Sequence, residues 1–195
     1  MSAGIFQRAF QWFADGTEAG SAQLASANVA PIVNPNSLVL LRLAIDVPGS
    51  SASLVSPKIQ VCDQLNGTYA DLGNYGVTGY NGSTTPGGLL NNIACTNRLT
   101  GNGTWQAGGN TTTLASGAVN GMTINPNSFI NFLFAIQIGS IAGATRYFRL
   151  YHSGTAITFT YVGQIAVGSA PRKLSNTLLS GGLLSPLVNS LGGSL

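Results

Sequence analysis

One histidine and five carboxylates set the acid–base chemistry open to this chain: His152, Asp15, Glu18, Asp46, Asp63 and Asp71. General acid–base catalysis needs a titratable group held within hydrogen-bond reach of its partner. His152 abuts Ser153-Gly154, a turn dipeptide, and is expected as an exposed histidine at a loop edge. Asp15 and Glu18 flank the Asp15-Gly16 turn and are placed to cap it; Asp63 precedes a hairpin, and Asp46 closes a regular strand. No Ser-His-Asp constellation and no nucleophile elbow is present. Nothing marks a second carboxylate to pair with Asp46 across a glycosidic bond. The expectation is a protein that is not an enzyme, with no catalytic residues.

Metal and cofactor chemistry fare no better. One histidine with Cys62 and Cys95 cannot close a structural zinc site without carboxylate help, and no Cys-x-x-Cys pair occurs. Cys62 follows inward-facing Ile59 and Val61 and so points to the opposite face, which favours two free thiols over a disulfide. Gly101-Asn102-Gly103 lacks the third glycine and the following helix of a dinucleotide fingerprint. The sequons at Asn66, Asn81, Asn102 and Asn110 are expected by chance in a chain so rich in Asn, Gly and Thr. No cofactor and no metal are expected.

The elements that would position these residues are strands. Ser37 to Val47 alternates, with Val39, Leu41, Leu43, Ile45 and Val47 on one face and Arg42 and Asp46 on the other. That pattern predicts a half-buried antiparallel strand. Pro57 to Asp63 repeats it with Ile59 and Val61 inward, then Asn66-Gly67 signals a hairpin into a short aromatic strand around Tyr69. Ser128 to Ile138 puts Ile130, Phe132, Phe134, Ile136 and Ile138 on one face, with Phe129 and Leu133 behind, as in a central strand. Ile5 to Phe13 is aromatic-rich and ends at Asp15-Gly16. Thr145 to His152 and Thr155 to Val162 flank Ser153-Gly154 as a hairpin, and Gln164 to Val167 makes a last strand. About seven or eight strands at these spacings predict a two-sheet sandwich.

Between Gly73 and Asn125 glycine, asparagine and threonine dominate, predicting long loops with short strands near Thr96–Leu99 and Thr104–Gln106. After Pro171 the chain carries two charges, Arg172 and Lys173, and then an apolar run broken by Gly181-Gly182 and Pro186. It is too interrupted for one long helix. Two readings stay open: an arm that docks on a neighbouring subunit, or a segment that packs on its own sandwich or frays. The domain division is therefore 1–169 for the β-sandwich, with its loop region over 73–125, and 170–195 for a C-terminal arm.

Charge bounds the partners. Asp, Glu, Lys and Arg make up 7% of the chain, against ~25% in typical soluble domains. With 44% hydrophobic residues this is not the composition of a disordered chain. Asn, Ser, Thr, Gln and 26 glycines supply the polarity, a neutral surface that is cheap to desolvate. The net charge is +3, but Arg8, Arg42, Lys58, Arg98, Arg146, Arg149, Arg172 and Lys173 are scattered, which argues against nucleic acid as a partner. MSAGIFQRAFQWF lacks the layout of a secretory signal, and no run approaches the ~20 apolar residues of a membrane span. Synthesis in a cytosol without a signal peptide, and no membrane partner, are expected.

The order of motifs resembles a family of Ig-like β-sandwich domains on the surface proteins of tailed phages and other virions. FQRAFQWFADGTEAGSAQLASAN (6–28) is similar to its aromatic strand and D-G-x-E turn, and LVLLRLAIDVPGSSAS (38–53) to its "LRLRI" strand and small-residue loop. PKIQVCDQLNGTYADLG (57–73) resembles the strand and turn that follow. TNRLTGNGTWQAGG (96–109) resembles a "T-x-R-L-T-G-x-G-T-F-x-A-G" loop. Residues 129–167 resemble the closing strands. NPNSF (125–129) departs from the acidic positions of the pattern, and 171–195 lies outside it.

The resemblance implies an all-β, Ig-like antiparallel sandwich and no catalytic residues. It implies a virion structural protein on the particle surface, a capsid decoration or cementing subunit whose partners are other virion proteins and copies of itself. Tyr75, Tyr80 and Trp105 are candidate interface anchors, as are Leu178, Leu179, Leu183, Leu184 and Leu187 of the tail. Two alternatives are a receptor- or glycan-binding domain of a tail fibre or spike, which requires aromatics and Asn side chains lining a groove, and an extracellular filament subunit.

Overall fold

The structure, a computed structural model, describes residues 4–153 and 157–169. Among the described residues the chain is all-β, with fourteen strands and no helix. In chain order they are β1 (Ile5–Ala14), β2 (Ile32–Val33), β3 (Leu38–Val47), β4 (Ala52–Leu54), β5 (Lys58–Cys62), β6 (Ala70–Asp71) and β7 (Val77–Gly79). These are followed by β8 (Thr104–Trp105), β9 (Thr111–Thr112), β10 (Met122–Ile124), β11 (Ser128–Ile138), β12 (Thr145–Tyr151), β13 (Ile157–Phe159) and β14 (Gly163–Val167).

The larger sheet runs β13-β1-β3-β11, and the second runs β2-β14-β12-β5-β6. β4 and β10 pair apart as a ribbon. The inward faces read from the alternation meet in one core. Leu41, Leu43 and Ile45 of β3 and Phe132, Phe134 and Ile136 of β11 pack with Ile59, Val61, Phe148, Leu150 and Ile165 of the second sheet. Trp12 joins the two sheets. Its ring meets Phe148 edge-on at 5.2 Å, and its indole N–H donates to the Gln164 carbonyl at 2.7 Å. A T-shaped contact of this kind contributes about 0.5–1.5 kcal/mol beyond area burial.

β1 reaches that core on both sides of a register shift. The shift between Gln7 and Ala9 is a bulge at Arg8, after which the inward residues change from odd (Ile5) to even (Phe10, Trp12). A bulge adds one residue to one strand and so reverses facing beyond it. Arg8, thrown out of register, places its Nε 2.9 Å from both Asp46 carboxylate oxygens.

Several expectations change. β3 is not half-buried: Leu40, Arg42, Ala44 and Asp46 on its second face are as inaccessible as Leu41 and Leu43 on the first. Alternation of chemical type marks two different faces, and solvent on one of them was the inference that failed. The cover is the 73–125 region. Thr96–Leu99 forms no strand, but Leu89, Cys95 and Leu99 are buried beneath this layer against Phe13, Leu40, Ala44, Leu133 and Ala135.

The same region also tiles the open edge of β11. β8 pairs with its start, β9 with its middle and β7 with its end. Short strands there cover a row of backbone groups that would otherwise invite pairing with another chain. Glycine permits the close approach: a Cβ on Gly109 would stand 1.8 Å from the Asn131 carbonyl oxygen.

The hairpin expected at Ser153-Gly154 does not form. β12 lies in the second sheet and β13 crosses to pair in parallel with β1 in the first. A turn dipeptide between two strand-like runs does not say whether the second run returns to its neighbour. Pairing is not antiparallel throughout either, because β1·β13, β11·β8, β11·β9 and β14·β2 are parallel. The hairpin over Asn66-Gly67 is present as β5 and β6.

Candidate functional site

The carboxylates are dispersed, and most are engaged. Asp15 accepts from the Thr85 hydroxyl at 2.5 Å and the Gly87 N–H at 2.6 Å, tying the first turn to the outer layer rather than capping itself. Asp71 accepts from Lys58 Nζ at 2.5 Å and Gln60 Nε2 at 3.2 Å, and those bonds hold its carboxyl below its ordinary value. Asp46 is raised, because burial outweighs the hydrogen bond and charge of Arg8. His152 is buried rather than exposed, at 5% of its surface, so the turn residues beside it did not predict its environment. No group of three or more His, Cys, Asp and Glu among the described residues could hold a metal ion.

Both thiols are free and buried. Burial pushes the Cys95 thiol up to about 12, which keeps it protonated and unreactive at neutral pH.

Glu18 is the largest departure from expectation. Instead of capping a turn it is buried under the outer layer, with its Oε1 2.5 Å from Arg42 Nη2. The Thr96 N–H and hydroxyl also donate to it, at 2.9 and 3.1 Å. Burial alone would raise this carboxyl; the bonds from Arg42 and Thr96 outweigh it and hold the group below its ordinary value. Arg42 has no exposed surface and donates further to the Thr96 carbonyl at 2.8 Å and Asn131 Oδ1 at 3.3 Å. Asn131 in turn bonds both the N–H and the carbonyl of Leu99. Arg98 lies over the Phe13 ring at 4.6 Å and donates to the carbonyls of Glu18 and Ser21. Arg42 Nε is buried without a hydrogen-bond partner among the described residues; the other bonds of the cluster suture the outer layer to β3 and β11.

The aromatic interface candidates are each half-buried in their own chain. Trp105 packs on Phe129 at 5.5 Å. Tyr75 sits against the inter-sheet core with φ of 53°, and its hydroxyl donates to the Thr68 carbonyl at 2.9 Å. Tyr80 packs on the cluster of Phe13, Leu40 and Leu89. Leu178, Leu179, Leu183, Leu184 and Leu187 lie outside the described residues.

A cleft of about 620 Å³ opens between the β5–β6 connection and the segment after β13. Leu65, Asn66, Tyr69, Arg149, Phe159 and Tyr161 are among its lining residues, and no carboxylate among the described residues is. Arg149 stacks on Tyr69 with its guanidinium carbon 4.2 Å from the ring centre, and lies 5.8 Å from that of Phe159. Its Nε and Nη2 donate to Gln60 Oε1 at 3.3 and 3.1 Å. Burial pushes the Tyr69 phenol up to about 12, so it stays neutral. Sequence reasoning missed this site. Arg149 alternates with inward Phe148 and Leu150 and so had to face outward, but nothing in the chain said that Tyr69 and Phe159 would flank it. Searches against protein-family models, curated proteins and solved structures found no match for this chain.

Proposed function

We propose that this chain is a non-enzymatic structural subunit of a virion surface, an Ig-like β-sandwich that decorates or cements a capsid by contacts with copies of itself and with other virion proteins. One observation carries the reading: a chain already poor in charge withdraws part of that charge from its surface. Arg42, Glu18 and Asp46 are buried. The described surface keeps only scattered charges, such as exposed Asp63 and Asp71, among neutral side chains and exposed apolar groups that include Val29 at 50%, Ile32 at 78%, Val55 at 49% and Leu65 at 51%. A monomer depending on charge for solubility is built the other way. Desolvating such a surface exacts little for buried charge. An interface of about 1,000 Å² at ~25 cal/mol per Å² then leaves a useful surplus, repeated at every copy.

The test is the mass in solution, by light scattering, of the full chain and of a chain ending at Ser169, with electron microscopy of both. A defined oligomer or sheet for the full chain, reduced to monomer by the truncation, supports the reading and gives the tail the role of arm. Filaments would favour the extracellular subunit instead. Stable monomers in both cases would overturn the assembly reading.

A further inference from the structure

We infer that the cleft around Arg149 is a binding site for an acidic oligosaccharide, a sugar chain bearing hexuronate carboxylates. This goes beyond the assembly reading and holds whether or not the chain assembles.

Three observations point to that ligand. The first is an uncompensated cation. Among the described residues Arg149 takes part in no ion pair, no carboxylate lines the cleft, and Arg149 Nη1 makes no hydrogen bond. A guanidinium steadied by Gln60 and by aromatic faces is pre-oriented to meet a planar carboxylate. The second is the set of aromatic and amide groups around it. Tyr161 is 47% exposed, and Tyr69 and Phe159 are half-buried at its side. The electron-rich faces of such rings attract the polarised C–H faces of sugar rings. The Asn66 amide on one wall can donate to and accept from sugar hydroxyls, and so can the Thr160 hydroxyl on the other, which already accepts from Arg8 Nη1 at 3.1 Å.

The third is that the walls are already fixed. The Gln7 side chain is fully buried; it donates to the Tyr161 carbonyl and accepts from the Leu150 N–H, both at 2.8 Å. Thr160 N–H donates to the Gln7 carbonyl at 3.0 Å, and the Tyr69 hydroxyl donates to the Leu65 carbonyl at 3.1 Å. A cleft held this way loses little entropy on binding. Its size also lies within the ~300–1,000 Å³ of ligand sites.

The alternative polyanion is single-stranded nucleic acid, which also stacks on aromatic residues. It needs a groove of cations that tracks successive phosphates. Among the described residues Arg149 is the one cation in the lining, and nearby Arg8, which donates to Thr160, is paired with Asp46. A single guanidinium among aromatic faces suits one carboxylate per binding register.

The experiment uses the full chain, isotope-labelled, and follows the Arg149 Nε–H and Asn66 amide signals by NMR. The probes are tetramers of galacturonate, glucuronate and mannuronate, the methyl ester of each, and a ten-residue oligothymidylate. At least one uronate should shift both signals with a dissociation constant at or below about 1 mM, and its ester should bind at least about tenfold more weakly. Tyr161→Ala, at an exposed position, should weaken binding at least about fivefold. Arg149→Gln should abolish the preference for acid over ester. The inference is overturned if no uronate shifts these signals at about 10 mM. Equal binding of ester and acid, or oligothymidylate displacing the uronate at lower concentration, would overturn it as well.

Discussion

Arg42→Met removes a guanidinium that has no exposed surface while keeping most of its aliphatic volume. Glu18 then stays buried, with the Thr96 N–H and hydroxyl as its remaining donors. Breaking a buried pair from one side costs about 3–5 kcal/mol, chiefly because the surviving charge is uncompensated. The two bonds from Thr96 place this case near the lower end, at about 3 kcal/mol. In urea unfolding followed by fluorescence of buried Trp12, that lowers the midpoint by about 1–2 M for an ordinary slope.

The pH dependence makes the argument specific. In the parent, Glu18 is held below its ordinary value of 4.5, so its contribution is present above that value and is lost as pH falls through the folded value. In the variant, burial dominates and raises the folded value. The penalty there is full above the raised value and vanishes as pH falls below the ordinary one. The gap between the two proteins must therefore narrow from pH 7 to about pH 4. Adding Glu18→Gln should recover most of the loss, since a buried pair replaced on both sides is often near neutral. A loss under about 1 kcal/mol, a gap independent of pH, or simple additivity in the double variant would refute the reasoning.

Other consequences follow from the same structure. Gly109→Ala sets a methyl group 1.8 Å from the Asn131 carbonyl oxygen, and should cost about 1–3 kcal/mol in urea unfolding by lifting the outer layer from β11. Asp46→Asn should cost less than about 1 kcal/mol at pH 7, because burial already disfavours the charged form and the amide oxygen can still accept from Arg8. Since the folded value of Asp46 is raised, its contribution to stability grows as pH falls through that value, and the asparagine variant should lack this rise. Cys62 and Cys95, at 1% and 4% exposure, should react with a thiol reagent in urea and be protected in the native protein.

The period-two pattern determined a good deal by itself. It assigned the inward faces of β3 and β11 residue by residue, because side chains of a strand must alternate and those stretches offer one uninterrupted apolar set each. Turn chemistry at Asn66-Gly67 marked the β5–β6 hairpin, and the strand-like run before Ser153-Gly154 marked β12. What covers a face is not written in the alternation. Arg42 and Asp46 read as solvent-side residues because they are polar. Only a layer from the Gly- and Asn-rich region, with Glu18 brought from 24 positions away in the chain, makes that face an interior one. The pairing of β13 with β1 and the closure of the cleft by Tyr69, Arg149 and Phe159 were likewise tertiary decisions. They depend on which distant backbone groups find each other, and that is set by the packing of the whole chain rather than by any local spacing.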